Sequence, residues 1–229
     1  LAHKSVPTFP ETPFEPARIN QVRQIRERGT YDRDTIFPII DAALIAHVGF
    51  VEDGRPVIIP MVHGRDGDRI FLHGHRKSRV VSRDEGEPVC LTFTHVDGIV
   101  FARSVFESSM NYRSAILHGT AHPIEDEAER LHAMRVTSEQ VFPGRWDEVR
   151  APLEKELKGT GLFEVRITAA SAKVRQGPVG DDYPDPDPNI WAGVVPVAMA
   201  FGAAIPDRSV TPGVALPSSV EAFQRGRLR

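Results

Sequence analysis

Between residues 44 and 105 the hydrophobic period is two, and the runs that carry it are broken by Asp-Gly pairs. "LIAHVGFV" leads to Asp53-Gly54, "PVIIPMVHGR" to Asp66-Gly67, and "PVCLTFTHV" to Asp97-Gly98 before "IVFARSV". Alternation places every second side chain on one face of a strand. Asp-Gly readily supplies the left-handed backbone that a tight hairpin turn requires. A chain written this way is constrained to antiparallel strands joined in sequence. "RIFLHGH" adds a strand inside the series, and "RSAILHGTAHPI" and "GLFEVRITAAS" extend it. Six or seven short strands in a meander leave exposed edges, and closure removes them. The expected fold is mainly β: a small antiparallel β-barrel with a few flanking helices.

The helical period appears in three places. "RINQVRQIRER" (18–28) spaces Ile19, Val22 and Ile25 for a short amphipathic helix. In "YDRDTIFPIIDAALIAHV" Asp32 or Asp34 can cap a helix. Pro38 falls near the first turn, and Ile36, Ile39, Ile40, Ala43 and Leu44 form an apolar face. "EDEAERLHAMRVTSEQVF" fills a strand-to-strand crossover. Acidic residues crowd its first turn, and Ala128, Leu131, Met134, Ser138 and Val141 share a face. Residues 150–158 add a turn or two. From Gly177 the chain reads as loop, with Trp191 as its large apolar anchor. The division expected is an arm over 1–29, the barrel domain over 30–200 and a tail over 201–229.

Composition narrows the function classes. Net charge is −3 over 229 residues, so general nucleic-acid binding is disfavoured and any basic cluster is local. No window is long and apolar enough to span a membrane, and the first residues lack the apolar core of a signal peptide. Cys90 is the single cysteine. It rules out an internal disulfide, fits a reducing compartment and reads as a small core residue. A cytoplasmic location is expected. No Gly-x-Gly-x-x-Gly, Walker-type loop or Gly-x-Ser-x-Gly elbow occurs.

Three stretches carry chemistry. "FLHGHRKSRVVSRD" ends a strand, turns at Gly74 and places Arg76, Lys77, Arg79 and Arg83 close together. Lys77, Ser78 and Arg79, with backbone N–H groups at a helix start, suit a phosphate; a solvated basic face is the plain alternative. His73 and His75, with His63 nearby, form a conceivable metal set. No carboxylate accompanies them, so no metal is expected. "FARSVFESSMNYRSAILHG" concentrates hydrogen-bonding groups in a connection, and "ASAKVRQGPVGDD" sets Lys173 and Arg175 two apart. Those two cations face either an anion or solvent.

Taken together, "RGTYDRDTI", "HVGFVEDGRPVIIPMVHGRDGDRIFLHGHRKSR", "GIVFARSVFESSMNYRSAILHG", "PGRW" and "SAKVRQGPVGDDYPD…IWAGVVPV" resemble the flavin-binding split barrels related to pyridoxamine 5′-phosphate oxidase, including the nitroimidazole-resistance group. The resemblance runs from about residue 28 to 197. It implies a six-stranded antiparallel split barrel that forms a homodimer with FMN at the interface. It would place Lys77, Ser78 and Arg79 on the FMN phosphate, and Pro60, Met61 and Val62 along the isoalloxazine edge. Phe71, Leu72 and His73 would line the same groove. Ser109, Asn111 and Arg113 would reach cofactor or substrate, and Lys173 and Arg175 would close the pocket. His73 would be the catalytic candidate, as proton donor or substrate contact. The implied function is an FMN-dependent oxidoreductase that transfers hydride or two electrons at flavin N5 with a small organic substrate. A non-catalytic flavin or haem sensor or carrier of the same fold is the alternative, with His73, His63 or His118 as haem ligand; a deazaflavin would want a longer basic groove. The Arg-x-His pattern of true pyridoxamine 5′-phosphate oxidases is not evident, so a vitamin B6 substrate is not implied.

Overall fold

The computed structural model describes residues 12–75, 86–180 and 187–224. In order these form β1 (Gly29–Thr30), α1 (Arg33–Asp41), β2 (Ala46–Glu52), β3 (Arg55–Asp66), β4 (Arg69–His75), β5 (Glu87–Phe101) and β6 (Ser109–Pro123). Then come α2 (Glu127–Val141), α3 (Glu154–Gly159), β7 (Thr160–Arg175), β8 (Gly193–Pro196) and α4 (Ser218–Gln224). Strands β4, β3, β2, β5 and β6 lie side by side, each pair antiparallel. β7 closes the ring by pairing with β6 and with β4. The mainly β, six-stranded antiparallel architecture with flanking helices is thus the one expected.

Alternation does the sorting. Val48, Phe50, Leu72, Leu91, Phe93 and Leu117 point inward and are buried, while their neighbours face out. Each fully buried side chain of this kind stabilises the fold by roughly 1.5–3 kcal/mol. α1 packs on this core with Ile36, Ile39 and Ile40. Asp53 and Gly54 both take positive φ, 49° and 73°, as the tight β2–β3 hairpin needs. Asp66-Gly67 also turns. Asp97-Gly98 does not: β5 runs straight through it, with a bulge between Val96 and Gly98. There the Asp97 carboxylate pairs across the ladder with Arg113, and β8 lies so close that a Cβ on Gly98 would meet Val194 Cγ1 at 2.9 Å.

α2 buries a different face from the one its sequence suggests. Ala133 and Thr137 are buried, whereas Leu131 is exposed. The cause is Gly64 on β3. A Cβ there would stand 2.8 Å from the Thr137 backbone, so the helix lies directly on the strand through Ala133 and Thr137. Arg69 then joins three elements, donating to Glu129 of α2 and Glu164 of β7 at 2.5 and 2.9 Å. The helix expected over 18–28 is reduced to a 3₁₀ turn at Arg26–Arg28, preceded by Ile25 in left-handed geometry. Asn20 fixes this segment instead. Its side chain is buried and donates to the carbonyls of Glu15 and Ala170 at 3.1 and 2.9 Å. Cys90 is half-buried on the ring's outside rather than in the core.

The pattern-poor tail contains α4. Glu148 accepts hydrogen bonds from Ser218 Oγ (2.7 Å) and from the N–H and Oγ of Ser219 (3.0 and 2.5 Å), which fastens the helix start to the domain. These bonds hold the Glu148 pKa down at about 2.

Candidate functional site

Lys77, Ser78 and Arg79 lie outside the described residues. The other candidates fall into two groups. The first is on β3 and β4. Val62 stands directly opposite His73, and Pro60 opposite His47, so Pro60, Val62 and His73 share the ring's outer face. Met61, Phe71 and Leu72 turn their side chains elsewhere. Met61 and Leu72 are buried in the main core, and Phe71 sits under α2 with Ile124, Ala133 and Leu162. Only their backbones are left to border a groove. His73 is exposed, yet enough protein crowds its ring that desolvation holds its pKa below the ordinary imidazole value. It is therefore neutral at pH 7, able to offer one donor and one acceptor nitrogen.

The second group gathers where β5, β6 and β7 run together. Arg113 donates to both Asp97 oxygens at 2.8 Å, a bidentate pair that lowers the Asp97 pKa and raises that of Arg113. Arg175 Nη1 donates to Asn111 Oδ1 at 2.5 Å, and Asn111 Nδ2 donates to the Gly177 carbonyl at 3.0 Å. Ser109 starts the strand, opposite Val100. Lys173 lies opposite Ser114, two residues from Arg175. Among the described residues neither Lys173 nor Arg175 meets a carboxylate, and Arg175 is held only by the Asn111 side chain. Arg113, by contrast, has its charge neutralised.

One chain does not bring the two groups together. β4 and β7 are neighbours in the ring, but His73 stands opposite Leu162, at the other end of β7 from Lys173. That length of strand, at about 3.3 Å per residue, is on the order of 36 Å. Asp97 is the site residue that sequence reasoning missed; its Asp-Gly context signalled a turn and hid its pairing with Arg113.

The three histidines considered as haem ligands differ in reach. His63 is fully buried, with Nε2 at 3.1 Å from the Ile40 carbonyl, and burial lowers its pKa to about 4. His118 is lowered by partial burial while a backbone bond at Ile19 opposes the shift. His73 alone of the three is exposed.

The family model for pyridoxamine 5′-phosphate oxidase matches residues 32–174, from the start of α1 almost to the end of β7. The chain belongs to this family. Two solved structures are similar to it over most of its length. The flavocytochrome Anf3 from Azotobacter vinelandii is 34% identical, with 92% of this chain and 99% of that chain covered and a TM-score of 0.85. The FAD and haem binding protein from Mycobacterium smegmatis is 36% identical, with 86% and 97% covered and a TM-score of 0.79. A protein from Bacteroides thetaiotaomicron assigned to 5-nitroimidazole antibiotic resistance shares the fold at 23% identity, with 64% and 86% covered and a TM-score of 0.55. A comparison with curated proteins found no match. The family match spans the closed ring and leaves out β8, the tail and α4. No helix among the described residues is long and apolar enough to cross a membrane.

Proposed function

We propose that this member of the family is a flavin-dependent oxidoreductase that works as a homodimer in the cytoplasm. The observation that carries the reading is the pair of cations at Lys173 and Arg175, which meet no carboxylate among the described residues and stand at the opposite end of β7 from His73. Two cations on one strand face suit a phosphate or pyrophosphate. Their separation from the Pro60–Val62–His73 surface is reconciled when one protomer supplies the cations and its partner the outer-face groove. The ring's outside supports such a partner. Ile58, Val96, Phe101, Met110 and Ile116 are exposed there, and Val105 and Phe106 project from the β5–β6 hairpin at 94% and 86% exposure.

Bound flavin would supply hydride or two-electron transfer at N5. Lys173 and Arg175 would hold its phosphate, together with Lys77, Ser78 and Arg79. Asn111 would orient Arg175, and Ser109 would border the pocket. Arg113 would act through Asp97 by fixing the strand end. Pro60 and Val62 would shield one edge of the ring system, with the Met61, Phe71 and Leu72 backbones behind them. Neutral His73 would donate a hydrogen bond from its N–H to a small organic substrate or to the cofactor.

FMN is the flavin first expected, and FAD is favoured over it by the 36% identical mycobacterial protein that binds FAD and haem. The second reading is a flavin and haem carrier, which the flavocytochrome similarity supports; exposed His73 is then the axial ligand candidate. The visible spectrum of the purified protein, and the chromatographic mobility of what denaturation releases, test both. Released FMN or FAD is expected. A Soret band adds haem, and a protein that stays colourless after incubation with either flavin refutes the proposal.

A further inference from the structure

The segment between β8 and α4 is written against its surroundings. From Val194 to Pro206 the sequence "VVPVAMAFGAAIP" has no charged residue, and from Val195 to Leu216 its only charges are the adjacent Asp207 and Arg208. Exposed, unstructured chain is ordinarily polar and charged. Here Met199, Ile205 and Val214 are 69%, 92% and 65% exposed, with Val195, Val197, Val210 and Leu216 also in solvent.

The segment is nevertheless held at both ends. At one, β8 pairs with β5 and the Val197 N–H donates to the Asp97 carbonyl at 3.0 Å. At the other, Ser218 and Ser219 grip Glu148, and Phe201 meets Phe223 edge-on with ring centroids 5.2 Å apart. An apolar strap fixed at its two ends, with its side chains turned away from its own domain, is shaped to be covered by something else.

We propose that residues 195–216 form an arm that lies on a second copy of this chain; this rests on the homodimer reading above. Its 22 residues match the roughly 20–30 residues per side of a stable interface. Charge depletion matches the core of such interfaces. The arm leaves from β8, beside the exposed Phe101 and Met110 of the outer face, so arm and sheet form one continuous apolar surface. A two-fold axis lets the same surface serve both protomers. A lipid surface fits less well. It calls for an amphipathic helix with a basic face, and this extended segment has one arginine beside one aspartate.

The test uses the full chain with its bound cofactor. Sedimentation equilibrium compares wild type with the double substitution Met199→Asp/Ile205→Asp. Both positions are solvent-exposed in the single chain, so the protomer fold is not at stake. The double variant is expected to raise the dimer dissociation constant by ~100-fold or more, as loss of two central apolar anchors does. Separately, benzoylphenylalanine placed at Ile205 is expected to give an inter-chain photo-adduct. A wild-type dimer whose dissociation constant is unchanged in the variant overturns the arm and leaves the dimer. A wild-type monomer at all concentrations overturns both. Binding to phosphatidylserine-containing vesicles that the variant loses, with its dimer intact, overturns the arm in favour of a lipid surface.

Discussion

His63 offers a quantitative test of the fold. It sits at 0% exposure on β3, with its ring 4.9 Å from that of Phe93. Nε2 lies 3.1 Å from the Ile40 carbonyl. A carbonyl only accepts, so Nε2 carries the proton and Nδ1 is the bare nitrogen. Nδ1 is buried and has no hydrogen-bond partner among the described residues. Protonating it would bury a cation with no acceptor, and desolvation lowers its pKa from 6.5 to about 4. The folded pKa is depressed, so between those two values the unfolded chain binds the proton and the folded chain does not. Stability from this group is complete above the unfolded pKa and is lost as pH falls from 6.5 towards 4. Linkage gives a loss of about 2 kcal/mol by pH 5 and about 3 kcal/mol by pH 4. His63→Gln keeps a donor for Ile40 and does not titrate. Urea unfolding of both proteins, at fixed protein concentration and at pH 7.5, 5 and 4, isolates the term. The wild-type advantage should shrink by about 3 kcal/mol across the series, close to 1 M in midpoint for a chain of this size. Titration of exposed carboxylates and of His73 and His118 cancels in the difference. A difference between the two proteins that is constant with pH refutes the reasoning.

Gly64→Val drives a side chain into the Thr137 backbone and should cost about 3 kcal/mol, seen as a lower thermal midpoint. Lys173→Ala and Arg175→Ala should each weaken flavin by about 2 kcal/mol in a fluorescence titration, as loss of a charged phosphate contact does; unchanged affinity places the phosphate elsewhere. Asp97→Asn leaves the Arg113 guanidinium without its bidentate acceptor and should lower stability by about 1 kcal/mol in denaturant, since the pair is partly solvent-screened. Ser219→Ala removes one of the three hydrogen bonds that Glu148 accepts from Ser218 and Ser219, so hydrogen exchange of α4 amides should accelerate while the ring stays protected.

The fold was legible where one local rule decided the outcome. Period-two runs became β2 to β7, and two of three Asp-Gly pairs became turns, because alternation and left-handed geometry act within a few residues. Legibility failed where a distant partner decided. The α2 stripe of Ala128, Leu131, Met134, Ser138 and Val141 is the more apolar one, yet Ala133 and Thr137 are buried. The opposing residue is glycine, and close backbone approach outweighs side-chain hydrophobicity there. Asp97-Gly98 failed as a turn for the same kind of reason: Arg113 and β8, both remote in sequence, stabilise a continuous strand. The tail's lack of pattern hid α4, whose signal was the pair Ser218-Ser219 at a helix start.

The site divides along the same line. Lys173 and Arg175 could be read as a pair because they are two apart on one strand. His73 could be read as accessible because it follows the buried Phe71 and Leu72. Their relation to each other could not, since it depends on β4 pairing with the start of β7 while the cations stand at its end. A resemblance to a cofactor-binding family names residues for one pocket without saying that one chain contains it. The register decides the matter: with His73 opposite Leu162 at one end of β7 and Lys173 and Arg175 at the other, either the pocket uses only one of these groups or two protomers build it. The two cases separate experimentally. Mixing His73→Ala protein with Arg175→Ala protein leaves one intact site per mixed dimer if the groups belong to different chains. About half of the dimers are mixed at equilibrium, so roughly a quarter of the wild-type turnover should return to two nearly inactive variants. No recovery after verified subunit exchange would assign both groups to sites within a single chain.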